Sequence, residues 1–418
     1  MSEQAPTKLW SKKFSLLSLN SLIFLSGNAA AGFILGLEVY DESHSSLLFA
    51  FFTIMTFLPR IILPALLGPL LDRYPKITAL RVISIIYLCF FTLLAATTHL
   101  GIYNYALYIF YAASLGALES SYSVAYQSIY PDFIAKGFFA KAYAVNSTVL
   151  TVAPIIMLPV AGAIYEGIGI KGIVALFLGI TALAAIACIS LCSMKHTADA
   201  PSPPALSWKD SIKKYIHELA LGAEYLMEEK ALLRLVVYNF VIYTTLGTMD
   251  TLLLPFFASS ETLKISQYST LMAFCTAGTL LMSLFFYRFS VPKKLRFPML
   301  TGSYILSSAI VIILVLLPFP LMLGAYTVFA MACNSTNNLR NSSVQFYIPN
   351  SVRGRFNGAF LMFTMSGKLL GQLVAGVLGE VFKTQHILAV AGIVGCAAAF
   401  ILLLPRREKL RNIINSAG

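Results

Sequence analysis

Residues 46–81 read SLLFAFFTIMTFLPRIILPALLGPLLDRYPKITALR, an apolar run with one charge, Arg60, that stops at Asp72, Arg73 and Lys76 and then restarts. As a helix rising 1.5 Å per residue, residues 46–71 extend about 39 Å, more than the ~30 Å hydrocarbon core of a bilayer. The same pattern recurs on either side. It predicts twelve spans at 14–37, 46–71, 80–99, 104–129, 139–165, 171–194, 232–258, 266–289, 297–317, 320–347, 356–382 and 386–404. The joints between them sort positive charge by alternation. Odd-to-even joints hold only Lys171, Lys264 and Lys383. The N-terminus, the even-to-odd joints and the C-terminus hold, among others, Lys12, Lys13, Arg73, Lys76, Lys136, Lys213, Lys293, Arg353, Arg406 and Arg411. Such sorting predicts both termini in the cytoplasm and an even number of spans in an all-α integral membrane protein.

Composition agrees. The 418 residues are 58% hydrophobic and 11% charged, too little polar surface to cover a soluble core of this size. The net charge of +12 collects at the rim that meets anionic headgroups, which sets nucleic acid aside as a partner. All six cysteines fall inside apolar segments, which argues against a disulfide framework. Residues 1–13 are short, polar and basic, so no cleavable signal peptide is expected. The five histidines are scattered, and no paired acidic motif, phosphate-binding glycine loop or metal-ligand spacing occurs. No enzyme, cofactor or metal centre is expected, nor a channel filter.

The longest break in the apolar pattern is 195–231. Its KHTADAPSPPALS opening reads as a flexible linker. The following WKDSIKKYIHELALGAEYLMEEK places Ile212, Tyr215, Ile216, Leu219, Ala223 and Leu226 on one side, as an amphipathic helix lying along the cytoplasmic membrane face. The domains expected are a six-helix lobe at 1–194, this bridge at 195–231 and a second six-helix lobe at 232–418. A faint repeat joins the halves. Gln127-Ser-Ile-Tyr-Pro131 and Gln345-Phe-Tyr-Ile-Pro349 end the fourth and tenth spans at an offset of about 218 residues, and nearly the same shift brings Asn20 onto Asn239. Duplicated halves suit a transporter in which equivalent lobes rock about one site.

The joint Gly68-Pro-Leu-Leu-Asp72-Arg73-Tyr-Pro-Lys76 resembles the signature G-x-L-x-D-R-x-G-R-[KR] of the major facilitator superfamily. Gly68 permits a close helix approach, Asp72 can meet a basic group or a helix N-terminus, and Arg73 and Lys76 hold the headgroups. The resemblance implies a conformational latch made of these four residues. Pro75 and Ile77 depart from the signature. The opening KLWSKKFSLLSLNSLIFLSG, the loop IYPDFIAKGFFAKAYAVNS and the bridge helix are similar to the drug, macrolide and siderophore exporter branch. The Gly-Pro motif common in antiporters is reduced to Val152-Ala153-Pro154. What the resemblance implies is a monomer in the plasma membrane. It would work by alternating access and drive proton-coupled efflux of small amphiphilic or anionic organic molecules. Uptake, or lysolipid and lipid flipping on the same fold, is the alternative.

Ionisable residues at bilayer depth cost about 2.5–3.5 kcal/mol or more, so each needs a partner or a wet cavity. Five stand out: Arg60, Glu119, Asp250, Arg340 and Lys368. The resemblance implies that spans 1, 4, 7 and 10 line the cavity, and three of the five fall on that set. Asn334, Asn337, Asn338 and Asn341 recur at helical spacing as a polar stripe on span 10. Asn28, Tyr122, Asn239 and Tyr243 are further candidates for lining the pathway. Glu119 reads either as a carboxyl exchanging proton for substrate or as half of a fixed salt bridge with Arg60 or Arg340. Lys368 either faces the cavity, packs on span 2 or snorkels. Among these charges the balance leans positive, which favours a substrate with an anionic group.

Overall fold

The computed structural model describes residues 10–71, 76–134, 139–193, 208–289, 291–403 and 407–416. It is built of helices: α1 Lys12–Ser43, α2 Ser46–Leu71, α3 Lys76–His99, α4 Tyr105–Ile129, α5 Phe139–Gly167, α6 Ile170–Ser193, α7 Trp208–Glu228, α8 Lys230–Ala258, α9 Ile265–Arg288, α10 Lys293–Ile313, α11 Phe319–Tyr347, α12 Asn350–Gly379, α13 Thr384–Ala398 and α14 Arg407–Ser416. Among the described residues, nine are long and apolar enough to cross a bilayer. Three more fall on predicted spans without meeting that measure: α4, α5 and α11. Two of them carry the polar residues singled out above, Glu119 on α4 and the asparagine stripe on α11.

The first span runs six residues beyond its predicted end at 37. Glu38 accepts a hydrogen bond from the Tyr108 hydroxyl at 2.7 Å, so the polar residues after Leu37 continue the helix instead of ending it. His44, at φ 49°, lies in the left-handed region and stops α1 just before α2 begins.

The chain divides into two compact units, Met1–Val39 with Met55–Ile212 and Tyr40–Ile54 with Lys213–Gly418. In the first unit α3 packs on α6 and α4 around an aromatic core. Phe24 stacks on Tyr122 at 4.0 Å between centroids, Tyr87 donates to the Phe24 carbonyl at 3.1 Å, and Phe91 meets Phe177 edge-on. Tyr122 and Tyr126 of α4 and Tyr130 at its C-cap form a ladder with one helical turn between rungs.

The second unit is held by close helix contact. Lipid tails are as apolar as leucine, so helices in a bilayer associate chiefly by van der Waals packing and small residues at the seam. Gly247 of α8 sits against the Lys368 carbonyl, and Gly367 and Gly371 of α12 against those of Phe240 and Thr244. A Cβ at Gly371 would overlap the Thr244 carbonyl oxygen. Gly371→Leu is therefore expected to destabilise the purified protein by about 3 kcal/mol or more, measured as a lowered thermal midpoint in detergent. An unchanged midpoint would mean that this seam does not hold the unit.

The bridge helix differs from expectation. α7 does not present the whole predicted stripe as a membrane face. Gly222 abuts the Arg355 carbonyl of α12, and Leu226 is buried in a core with Leu232, Leu235, Phe356, Ile413 and Ile414. Ile216, on the same predicted stripe, is exposed. The glycine supplies a Cβ-free face that lets α7 pack directly on the α12 backbone. α14 closes the same core. Ser343 donates to the Ile414 carbonyl, and Lys409 pairs with Glu229 at 2.8 Å. The hydrogen bond to Glu229 raises the Lys409 ammonium above its ordinary range.

Candidate functional site

In the first unit the polar centre is built by α1, α2 and α4. Gly116 of α4 lies against the Thr56 carbonyl of α2, with no room for a side chain between them. One turn further along, that approach brings Arg60 to Glu119, Nη2 to Oε2 at 2.6 Å. Asn28 of α1 donates its amide to the same carboxylate oxygen, and the guanidinium lies over the Phe57 ring at 4.9 Å. Both ionic side chains keep about 30% of their surface. Arg60 Nε and Asn28 Oδ1 are buried and have no hydrogen-bond partner among the described residues. A buried donor and acceptor left open beside an ion pair cost free energy unless water or a ligand completes them. Tyr122, expected to line a pathway, belongs instead to the packing of this unit. It is 3% exposed, and its hydroxyl donates to Asn20 at 2.8 Å.

The second unit holds two polar centres. Lys368 of α12 pairs with Asp250 of α8 at 2.7 Å, across the seam set by Gly247 and Gly371. Asp250 lies eight residues from the end of α8, on the order of 12 Å inside it. The other centre surrounds Arg340 of α11, which is 5% exposed. Its guanidinium donates to three asparagine carbonyls: Asn239 of α8, Asn337 at 2.9 Å, and Asn341 at 3.1 and 3.2 Å. The Phe360 ring lies below it at 5.0 Å, and Tyr304 of α10 donates to Asn239 at 3.3 Å. Among the described residues no carboxylate pairs with Arg340. Neutral carbonyls satisfy its donors but leave its charge uncompensated, and such a site attracts an anion.

The stripe on α11 thus splits by role. Asn337 and Asn341 hold Arg340, whereas Asn334 donates to Ser283 of α9 at 3.2 Å and Asn338, which is exposed, donates back to the Asn334 carbonyl at 3.0 Å. Tyr243, one turn beyond Asn239, is half-buried. Gly68 falls in α2 and Lys76 opens α3, whereas Asp72 and Arg73 lie outside the described residues. Phe57, Gly116, Tyr304 and Phe360 were not singled out from sequence, where they read as ordinary apolar-helix residues. Glu380 was missed as well. Its carboxylate accepts from Ser45 Oγ at 2.7 Å and from the Leu47 amide at 2.8 Å, capping the start of α2.

The repeat gains a physical form here. Asn20 and Asn239 occupy matching places on α1 and α8, and each is bound by the matching residue of α4 or α11, Tyr122 in one unit and Arg340 in the other.

Residues 17–371 match the Major Facilitator Superfamily. The chain belongs to that superfamily. Solved structures agree on the fold. A crystal structure of the nucleoside transporter NupG shares 16% identity at a TM-score of 0.69, covering 94% of this chain and 98% of that one. The peptide transporter POT in complex with sulfate shares 12% at a TM-score of 0.70, covering 97% of each chain. A POT family transporter in complex with 5-aminolevulinic acid shares 9% at 0.69, covering 94% and 96%. No curated protein matches. This superfamily member is therefore an all-α, multi-pass membrane transporter and not an enzyme.

Proposed function

We propose that the chain is a proton-coupled secondary transporter, working by alternating access, that exports small amphiphilic organic molecules bearing an anionic group. The observation that carries this reading is Arg340, a buried guanidinium satisfied by asparagine carbonyls and lacking a carboxylate partner among the described residues. A carboxylate or phosphate on the substrate would supply the missing charge, with Asn337 and Asn341 beside it. Glu119 is the coupling carboxyl in this reading. It can give up Arg60 on taking a proton, and the open atoms at Arg60 and Asn28 receive the substrate or water in its place. Lys368 and Asp250 form a second exchangeable pair. The conformational latch, in this reading, is formed by Gly68, Asp72, Arg73 and Lys76.

Efflux as the direction, the exporter branch, the plasma membrane and cytoplasmic termini rest on the sequence resemblance and the charge sorting. The POT structures hold sulfate in one case and 5-aminolevulinic acid in another, but at this identity they support the fold alone. The test uses inside-out vesicles with an acidic lumen, loaded externally with amphiphiles matched in size and differing in charge. Anionic amphiphiles are expected to accumulate, and to leak out when the pH gradient is collapsed. Accumulation of the cationic member alone, or indifference to the gradient, would sink the reading.

A further inference from the structure

Beside the joint of α12 and α13 the second unit opens into a groove of about 570 Å³, walled by α8, α12 and α13. Thr244 and Thr248 stand on one wall, Val374 and Leu378 on the second, Val390 and Val394 on the third. The groove is apolar in effect, because its threonine hydroxyls are already committed. Thr244 donates to the Phe240 carbonyl at 2.9 Å, Thr245 to Val241 and Ala391 at 3.2 and 3.3 Å, and Thr248 to Thr244 at 3.0 Å. A hydrophilic solute would find no free donor among them.

The rim residues Val374, Val390 and Val394 are 41%, 59% and 50% exposed, so the groove opens sideways. On spans of this length its surroundings are hydrocarbon. From His386 to Val394 it runs about 12 Å, close to the ~15 Å depth of one leaflet. An empty groove of this size would forfeit van der Waals contact along its walls, and a lipid chain is the apolar body always at hand. Its mouth is basic. His386 lines it, exposed Lys383 caps α13 three residues earlier, and the first amides of α13 add the positive end of a helix. The nearby Glu380 is taken up by Ser45 and Leu47.

We propose that this groove seats one acyl chain of a phospholipid, with the phosphate held by Lys383, His386 and the α13 N-terminus. The test reconstitutes the full chain in nanodiscs of an anionic phospholipid doped with a phospholipid carrying a diazirine midway along one chain. After photolysis, adducts are mapped by peptide mass spectrometry. Adducts are expected on the groove-lining stretches of α8, α12 and α13. Val390→Trp, placed on the exposed rim so that the fold is spared, is expected to lower them about tenfold by displacing the chain. Ala391→Leu, filling the groove from within, should act alike. Lys383→Glu with His386→Glu should lower them about fivefold or more, with loss of the Lys383 ammonium setting the scale. Thr244→Val should change nothing, because that hydroxyl serves the helix and not the ligand. Undiminished adducts in both filling variants, undiminished adducts in the double charge reversal, or a loss in Thr244→Val would each overturn the proposal.

Discussion

Glu119→Gln is expected to leave the protein folded and able to exchange solute across the membrane, while abolishing accumulation driven by a pH gradient. The geometry separates these two outcomes. A glutamine carbonyl can still accept from Asn28 and from Arg60, so the α1–α2–α4 contacts that now converge on the carboxylate survive. What is lost is the proton. One unit of pH gradient is worth about 1.4 kcal/mol, so exchange of one proton per solute sustains up to about tenfold accumulation per unit. In the variant the ratio should fall to about unity, while counterflow of labelled against unlabelled solute continues. Glu119→Ala is a different experiment. It leaves Arg60 without its partner beside an already open Nε, and should cost about 1–3 kcal/mol, less than a fully buried pair because both side chains keep part of their surface. Adding Arg60→Met to Glu119→Gln removes both charges and should recover much of that stability without restoring coupling. If gradient-driven accumulation survives Glu119→Gln, the pair is a structural brace and coupling resides elsewhere.

Much of the architecture was legible because the bilayer imposes long-range rules on the chain. Apolar length and the alternation of Lys and Arg are visible residue by residue, and both follow from transfer free energies rather than from packing detail. Packing itself was not legible. Periodicity puts Gly371 on a face of α12 but cannot say that the face meets the Thr244 carbonyl, and it cannot show that Gly222 draws α7 onto α12. Helix ends were hidden for a related reason. The polar run after Leu37 looks like a terminus until Tyr108, seventy residues on, supplies a partner for Glu38.

The site divides along the same line. Charges inside apolar runs announce themselves because each is costly there, so Arg60, Glu119, Asp250, Arg340 and Lys368 could all be picked out. Their pairing could not, because it depends on helix rotation. Sequence left Lys368 three possible environments and did not offer the pairing with Asp250 of α8 that the structure shows. The asparagine stripe shows what periodicity reaches. Four residues share a face, but only Asn337 and Asn341 reach Arg340, since they alone lie three residues before it and one after it at the right height. Tyr122 illustrates the opposite failure. Its hydroxyl made it a candidate for lining the pathway, whereas its ring belongs to the stack with Phe24.

Arg340→Gln is expected to abolish recognition of anionic solutes while leaving the solute-free protein at least as stable as before. A buried cation without a counter-ion bears a desolvation cost that hydrogen bonds to neutral carbonyls offset only in part, so removing the charge is neutral or stabilising where the remaining donors are kept. Glutamine keeps a donor for Asn239 or Asn337, and Tyr304 already serves Asn239. Loss of a charge-assisted contact to a desolvated anion costs about 2–5 kcal/mol, or a roughly thirtyfold or greater weakening, read as the concentration at which solute raises the thermal midpoint. A neutral ester of the same solute should bind both forms alike. The repeat supplies the reason to expect the fold to tolerate the change. At the matching place in the first unit Tyr122 satisfies Asn20 with no charge at all, so the architecture needs a donor there and not a cation. If the variant instead melts early and still discriminates the anion from its ester, the guanidinium is a packing element and the positive centre must be sought at Lys368.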